Sequence, residues 1–409
     1  MSDAGMREIR DQFPVLSRIE GGRPFVYLDS AATALTPEPV ITAISSYYRE
    51  NSTNIHRGLY RLSEEATALY EGARARTAEF ISASSPGEVI FTRCATESIN
   101  LVAYSWAQHL GPGDTVVTTE LEHHADLVPW QLLAERNGVE LVFLPLDPRT
   151  GTIDENSIDE RIGPDTALVA VSGMSNVTGV QPPLEAIVRR AKEVGAKVLL
   201  DAAQLAAHEP IDVQELGIDF LAFSGHKLYG PTGIGVLWAR KGTLEDAVPF
   251  MSGGDMIERV GLKQSAFRKV PHRFEAGTPH IAGAAGLSAA MDFITSVGWE
   301  RIHRQETACT KRLLEALGND ERIDVYGPGD ASLRSPVVSF NLRNVHPHDV
   351  DTLLGEQAVA VRAGLHCAQP YVEKLGTRGT VRASIGMYTD VDDIDALISR
   401  LREVFSIFG

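Results

Sequence analysis

The sequence predicts an α/β protein, with a large domain built on a mainly parallel seven-stranded sheet and a smaller α+β domain at the C-terminal end. Three observations predict this. Seven short apolar runs recur between residues 88 and 239, and helical stretches lie between most of them. Near-continuous apolar strands alternating with helices mean a parallel sheet covered on both faces. The seventh run, 234–239, follows the sixth after about ten residues, too few for a parallel crossover with its own helix, so it is expected antiparallel. From Ala282 the rhythm changes to long helices and then isolated strands, which reads as a second, smaller unit.

Taken in order, the chain is polar until Phe25, Val26, Tyr27 and Leu28, a short strand ending at Asp29, Ser30, Ala31 and Ala32. Pro37 suits the first turn of a helix over 38–50. Residues 54–58 are loop, and Ser63 is placed as the cap of the next helix, with Ala66, Leu69, Ala73 and Phe80 on one face. Strands are expected at 88–92, 115–119, 140–144, 167–172, 197–200, 220–223 and 234–239, and helices at 97–109, 128–136 and 184–194. A Gly/Ala-rich helix then runs to about residue 297 and a charged helix through 317. Strand 337–342, helix 349–357, strand 359–362, a loop with Cys367, strand 381–385 and a helix from 390 complete the chain. The large domain is placed at 21–290 and the small one at 291–409, with 1–20 packing on the latter. A cleft between two such units is where a ligand is expected.

Composition excludes several classes. A formal net charge of −16 argues against nucleic acid and anionic membranes, both of which call for basic patches. The first twenty residues hold no apolar signal core, and the longest weakly polar run, 281–294, is too short to span a bilayer. Cys94, Cys309 and Cys367 are odd in number and far apart, which suits neither a disulfide framework nor a zinc site. No metal is expected, and a reducing, cytoplasmic setting would leave a thiol free to act.

Residues 224–235 read Ser-Gly-His-Lys-Leu-Tyr-Gly-Pro-Thr-Gly-Ile-Gly. Lys227 stands just past a buried strand, where α/β enzymes place their chemistry. Ser224 and His226 are phosphate-ligand types, and Gly225 and Gly230 let backbone come close to a ligand. Desolvation would lower the lysine's pKa and free its amine for a Schiff base with an aldehyde cofactor. A solvated lysine in a Gly-rich turn is the alternative, and the stretch alone divides evenly between the two.

Five further features fall at strand ends. Asp201 ends strand 197–200. A buried carboxylate there needs a partner, which a protonated pyridine nitrogen of pyridoxal phosphate (PLP) would supply. Gln204 could donate to the ring's phenolate oxygen; otherwise Asp201 is simply a helix cap. Cys94, Ala95 and Thr96 open a helix after strand 88–92, where free N–H groups favour an anion. His123 follows strand 115–119 and could stack on a flat ring, although a histidine is more often structural. Asn176 follows strand 167–172 and offers an amide to the cofactor ring or the substrate; Thr278 lies in a turn, Glu275-Ala-Gly-Thr-Pro279. Each signal is weak, but together they mark one edge of one sheet. In the small unit, Arg362-Ala-Gly-Leu-His-Cys-Ala-Gln-Pro370 places Cys367 in a Gly-containing loop beside His366, which suits an exposed thiol of lowered pKa. Arg362 and Arg382 flank that loop and are carboxylate-clamp types, or else surface ion pairs.

With these motifs in hand, the chain resembles the SufS-like (group II) cysteine desulfurases of the class V aminotransferase family, fold type I PLP enzymes. The segments 27–32, 54–58, 122–125, 224–235, 275–279 and 362–370 carry the resemblance. It implies PLP on Lys227, with Asp201 at the pyridine nitrogen, Gln204 at the phenolic oxygen and His123 stacked on the ring. Ala95, Thr96, Ser224 and His226 would hold the phosphate, with Thr278 supplied by the second subunit of a homodimer. Asn176, Arg382, Arg362 and His56 would meet the substrate, and Cys367 would be the nucleophile. L-cysteine would become L-alanine, leaving a persulfide on Cys367 for a sulfur-acceptor protein in iron–sulfur cluster or cofactor assembly. L-selenocysteine is a second possible substrate. The rivals are a selenocysteine lyase, a cysteine sulfinate desulfinase, an epimerase or another C–S lyase on the same scaffold, and a binding protein without catalysis. Leu365, Ala202, Cys94 and His280 depart from the usual residues but remove no catalytic group.

Overall fold

The computed structural model describes residues 3–408; residues 1, 2 and 409, at the outer ends of the expected domains, lie outside it. Seven strands form the large sheet: β1 (Val89–Thr92), β2 (Thr115–Thr119), β3 (Glu140–Leu144), β4 (Thr166–Ser172), β5 (Lys197–Asp201), β6 (Phe220–Ser224) and β7 (Gly235–Ala239). Their order is β1-β7-β6-β5-β4-β2-β3. β7 is antiparallel to both of its neighbours, and the remaining pairs are parallel. The apolar runs explain this burial. Successive residues of a strand face opposite ways, and here both ways are core. Val169, Val198, Leu200, Leu221 and Val236 pack in one apolar cluster, while Leu168, Ala170, Leu199, Ala222 and Leu237 pack in another on the opposite face.

The helices Arg61–Phe80 and Ile281–Val297 cover one side of this sheet's edge and pack on each other. The helix Glu38–Ser46 also packs on Ile281–Val297, and a small residue permits its approach: a Cβ on Gly286 would stand 2.8 Å from the Ile44 side chain. Ser63 does not cap its helix. The helix begins at Arg61 after Tyr60, and the Ser63 hydroxyl instead donates to the Asn54 carbonyl at 2.8 Å. The 97–109 segment starts earlier, at Ala95, and passes through a π-helical turn over Val102–Trp106.

A second sheet, β8 (Ile323–Tyr326), β9 (Val337–Leu342), β10 (Arg362–Gly364) and β11 (Thr380–Ser384), runs in the order β8-β9-β11-β10, all antiparallel. With the helices Trp299–Gly318, Pro347–Glu356 and Val391–Phe408 it encloses its own apolar core. The strand Val26–Tyr27, expected inside the large unit, pairs in parallel with Val359–Ala360, and Val26 and Leu28 are buried in this second core. Ahead of it, Arg10 donates to the Tyr388 carbonyl and to Asp393, and Phe13 packs edge-on against Tyr229, Phe293 and Tyr388. Among the described residues no single helix is long and apolar enough to cross a membrane.

One buried ion pair ties the turn at Glu275 to the sheet. Arg74 (2% exposed) is gripped by Glu275 (7%) through bonds of 2.6 and 2.9 Å. Glu275 also accepts from the Tyr70 hydroxyl and the Phe91 N–H. Arg74 also donates to Glu71 at 2.9 Å, so loss of the Glu275 charge leaves it one carboxylate partner. Glu275→Gln is therefore expected to lower unfolding stability by about 1.5–3 kcal/mol in urea titration, the scale of a hydrogen bond to a charged group. A loss under about 1 kcal/mol would mean that Glu71 alone satisfies Arg74.

Candidate active site

Strands β1, β2, β4, β5 and β6 all run the same way, so the segments after them converge on one edge of the sheet. Thr92 leads to Cys94, Ala95 and Thr96; Thr119 leads to His123; Ser172 leads to Asn176. Asp201 closes β5, and Ser224 leads through a tight turn to Lys227. β7 returns into this edge at Gly235, where a Cβ would stand 2.5 Å from the Cys94 Cα. Cys94, Ala95, Thr96, His123, Asn176, Asp201, Ser224 and Lys227 line a cavity of about 280 Å³, joined by Arg362 and Arg382 from the other sheet and by His366 and Cys367 from the loop after Gly364.

The electrostatics follow from burial. Lys227 lines the cavity, and desolvation lowers its pKa, with Asp201 pulling it back up. The Asp201 carboxyl is raised, first by burial. Its Oδ1 accepts from the Ala203 N–H at 2.8 Å, which leaves Oδ2 for a ring N–H. His123 Nδ1 accepts from the Ala125 N–H at 3.0 Å, so its single proton sits on Nε2. Burial, then the Lys227 charge, push the His123 pKa down to about 3, which keeps the ring neutral. His226 is lowered to about 4 for the same two reasons. At the cavity's other end the Ser224 hydroxyl oxygen accepts from the Ala95 N–H at 2.8 Å, beside Thr96 and His226.

Arg382 is 2% exposed. Its Nη1 donates to the Asn176 carbonyl at 2.9 Å and its Nη2 to Asp29 at 3.2 Å, while Nε has no partner among the described residues. A buried guanidinium with an unused N–H is costly unless something supplies an acceptor. This set fits PLP. An amine can take an aldehyde, and a buried carboxylate can pair a ring N–H. A neutral imidazole can lie against the ring, and a cluster of hydroxyl, N–H and imidazole can take the phosphate. Lys227, Asp201, His123, Ser224, His226, Ala95 and Thr96 would hold it.

Other expected residues lie differently. Gln204 lines the cavity, but its Nε2 donates to the Ala31 carbonyl at 2.8 Å. Asn176 gives its Nδ2 to the His366 carbonyl at 2.6 Å, and so steadies the thiol loop from the ring side. His56 is not in the cavity of this chain. Its Nε2 bonds Glu71 at 2.9 Å, and its ring packs edge-on against Tyr70 and His272. His56, Glu71 and His272 bring ligand atoms within 4.8 Å of one another, but Arg74, 2.9 Å from Glu71, sets a fixed positive charge against a cation there. Thr278 is exposed and also outside the cavity. Of the departing residues, Cys94 lines the cavity, Ala202 is buried, and the His280 ring lies against Gly283.

Sequence reasoning missed Asp29 as a site residue. It holds both arginines, accepting from Arg362 Nε at 3.2 Å and from Arg382 Nη2. It also missed Glu122, buried beneath the cavity, which accepts from the Ser172 N–H at 2.9 Å and is raised to about 7, chiefly by desolvation. The signal for Glu122 was its place beside His123; the signal for Asp29 was its place at a strand end.

The sequence pattern of the aminotransferase class-V family matches residues 26–397. Over 407 residues the chain is 48% identical to a probable cysteine desulfurase of Streptomyces coelicolor, covering 98% of this chain and 97% of that one. It is similar in structure to the apo cysteine desulfurase of Thermococcus onnurineus NA1, with TM-score 0.93 and 41% identity over 97% of each chain. Cysteine desulfurase CsdA of Escherichia coli, solved with an S-sulfonic acid, matches with TM-score 0.91 and 39% identity over 98% of each chain.

Proposed function

The chain belongs to the aminotransferase class-V family, and from that premise we propose that it is a PLP-dependent cysteine desulfurase of the SufS-like group, making L-alanine from L-cysteine and leaving a persulfide on Cys367. The observation that carries this reading is that the exposed Cys367 and the Lys227 amine line one cavity. When bound, PLP supplies an electron sink for bond changes at the substrate's α- and β-carbons.

The protein's own groups do the rest. Lys227, whose pKa desolvation lowers, is the cavity amine placed to take the α-proton and return it. Arg382 lines the cavity as the guanidinium for the substrate carboxylate, held in place by Asn176 and Asp29. The Cys367 thiolate attacks the substrate sulfur: an S–S bond forms, the C–S bond breaks, and its electron pair passes to carbon, which is then protonated. The test is the yield of alanine and sulfide from L-cysteine with and without reductant. Alanine should form in both, with sulfide released only as the reductant clears the persulfide. A lyase that yields pyruvate would overturn the reading.

The proposal extends to the assembly. The working unit is a homodimer in a reducing, cytoplasmic setting, passing sulfur to an acceptor protein of iron–sulfur cluster assembly. What supports the dimer is that Thr278 is exposed and outside this chain's cavity, while the apolar side chains of Leu59, Tyr60, Val260 and Leu262 are exposed. Diluting the holoenzyme through its dimer dissociation constant is expected to release PLP in parallel with the fall in mass seen by sedimentation. A monomer that keeps its full cofactor band would remove Thr278 from the phosphate site.

A further inference from the structure

Resting on the reading of Cys367 as the sulfur carrier, we propose that His124 is the positioning residue for the nucleophile. It fastens the thiol loop to the large sheet through two hydrogen bonds. Its backbone N–H donates to the Cys367 carbonyl at 2.6 Å, and its side-chain Nε2 accepts from the Gln369 N–H at 3.1 Å.

The thiol loop needs such a hold. His366 and Cys367 both have left-handed backbones, with φ of 51° and 54°. Neither is glycine, and a side chain in that region is strained unless its surroundings over-determine it. On the small-sheet side, His366 Nε2 meets the Thr380 hydroxyl at 2.8 Å. On the other side of the thiol, the helix Gln369–Lys374 begins at once. Between these anchors the Cys367 carbonyl and the Gln369 N–H both point to one residue, His124. His124 directly follows His123, which lines the cavity. One short turn of the large sheet therefore places both the ring-stacking imidazole and the thiol, although Cys367 belongs in sequence to the small unit. The Lys374–Glu120 ion pair ties the far end of the same helix to the same turn.

Accepting from Gln369 requires Nε2 to be unprotonated, so His124 carries its proton on Nδ1. A side chain with an acceptor of similar reach can replace it, and one with no acceptor cannot. A nucleophile displaced by about 1 Å can lose about a hundredfold in rate, and loss of one of two bonds should cost less.

The test uses holoenzyme of three variants, His124→Ala, His124→Gln and Gln369→Pro. Gln369→Pro removes the donor N–H at the first position of a helix, where proline is tolerated. Two signals are read: the rate at which the Cys367 peptide gains one sulfur after brief exposure to L-cysteine, and hydrogen exchange over residues 365–375. His124→Ala and Gln369→Pro should each slow persulfide formation about tenfold and quicken exchange, with the cofactor band and the KM for L-cysteine kept. His124→Gln should recover most of both. Wild-type persulfide formation and exchange in Gln369→Pro, or in a folded His124→Ala, would overturn the positioning role. Cys367→Ser separates this from the reading beneath it: a Cys367→Ser enzyme that desulfurates L-cysteine at the wild-type rate removes the sulfur-carrier role itself.

Discussion

Lys227→Ala is expected to abolish turnover of L-cysteine, with a loss of about 10²–10⁴-fold from the proton transfer alone. Lys227 lines the cavity, and desolvation lowers its pKa, which favours both binding an aldehyde and moving the α-proton. No second amine lines the cavity among the described residues. Reduction with borohydride followed by mass spectrometry should fix PLP to Lys227 in the wild type and to nothing in the variant. A linked cofactor in Lys227→Ala would place the attachment elsewhere. The substitution should also leave a trace on its neighbour. Burial is the larger cause of the low His123 pKa, and the Lys227 charge is the second. Removing that charge should raise the His123 pKa from about 3, though not to its usual 6.5, because burial persists. Imidazole resonances followed across acid pH would show it.

The fold was legible where burial is two-sided. β1 to β7 were readable as strands because alternate residues enter two apolar clusters, so each reads as a continuous apolar run. The hairpin of Ile257–Val260 and Ser265–Phe267 escaped notice because its residues are half-buried or exposed, leaving no apolar alternation. Ile323–Tyr326 has one buried residue, and the helix Gln369–Lys374 is shorter than two turns. The position of Val26–Tyr27 was hidden for another reason: its partner strand lies more than three hundred residues away, and a strand's own composition does not say what it pairs with.

The site divides the same way. Lys227, Asp201, His123 and Thr96 were readable because each stands at the end of a strand, and parallel strands bring their ends together. What sequence could not give was the pairing of side chains across that edge. Asp29 meets Arg362 and Arg382 at separations of 333 and 353 residues. The Asn176 amide was expected to face a ligand, yet it serves a backbone carbonyl of the thiol loop. His56 was expected at the substrate, yet within one chain it packs on Tyr70 and Glu71.

Cys367→Ala is the second large effect. The variant should keep its cofactor band and still bind L-cysteine, since the Lys227, Asp201 and Arg382 side chains do not depend on the thiol for a hydrogen bond. The loop should also stay in place, because its tethers are to backbone atoms: the Cys367 carbonyl, the His366 carbonyl and the Gln369 N–H. Sulfur transfer should nevertheless fall nearly to nothing. Breaking the C–S bond of cysteine requires an acceptor for the sulfur, and Cys367 is the exposed thiol of the cavity. The other cavity thiol, Cys94, lies at the Gly235 end beside the residues assigned to the phosphate, and should not replace it. A selenium or sulfinate group leaves more readily without a thiolate, so activity on L-selenocysteine or cysteine sulfinate should survive in large part. Two measurements decide the matter together. Mass spectrometry of the wild type after brief exposure to L-cysteine should find one added sulfur on the peptide of Cys367 and none on that of Cys94. Kinetics of Cys367→Ala should show the ratio of selenocysteine to cysteine turnover rising by at least about a hundredfold, the scale on which an assigned nucleophile matters. An unchanged ratio with L-cysteine turnover intact would mean that the sulfur leaves without Cys367, and the chemistry would then be that of a lyase.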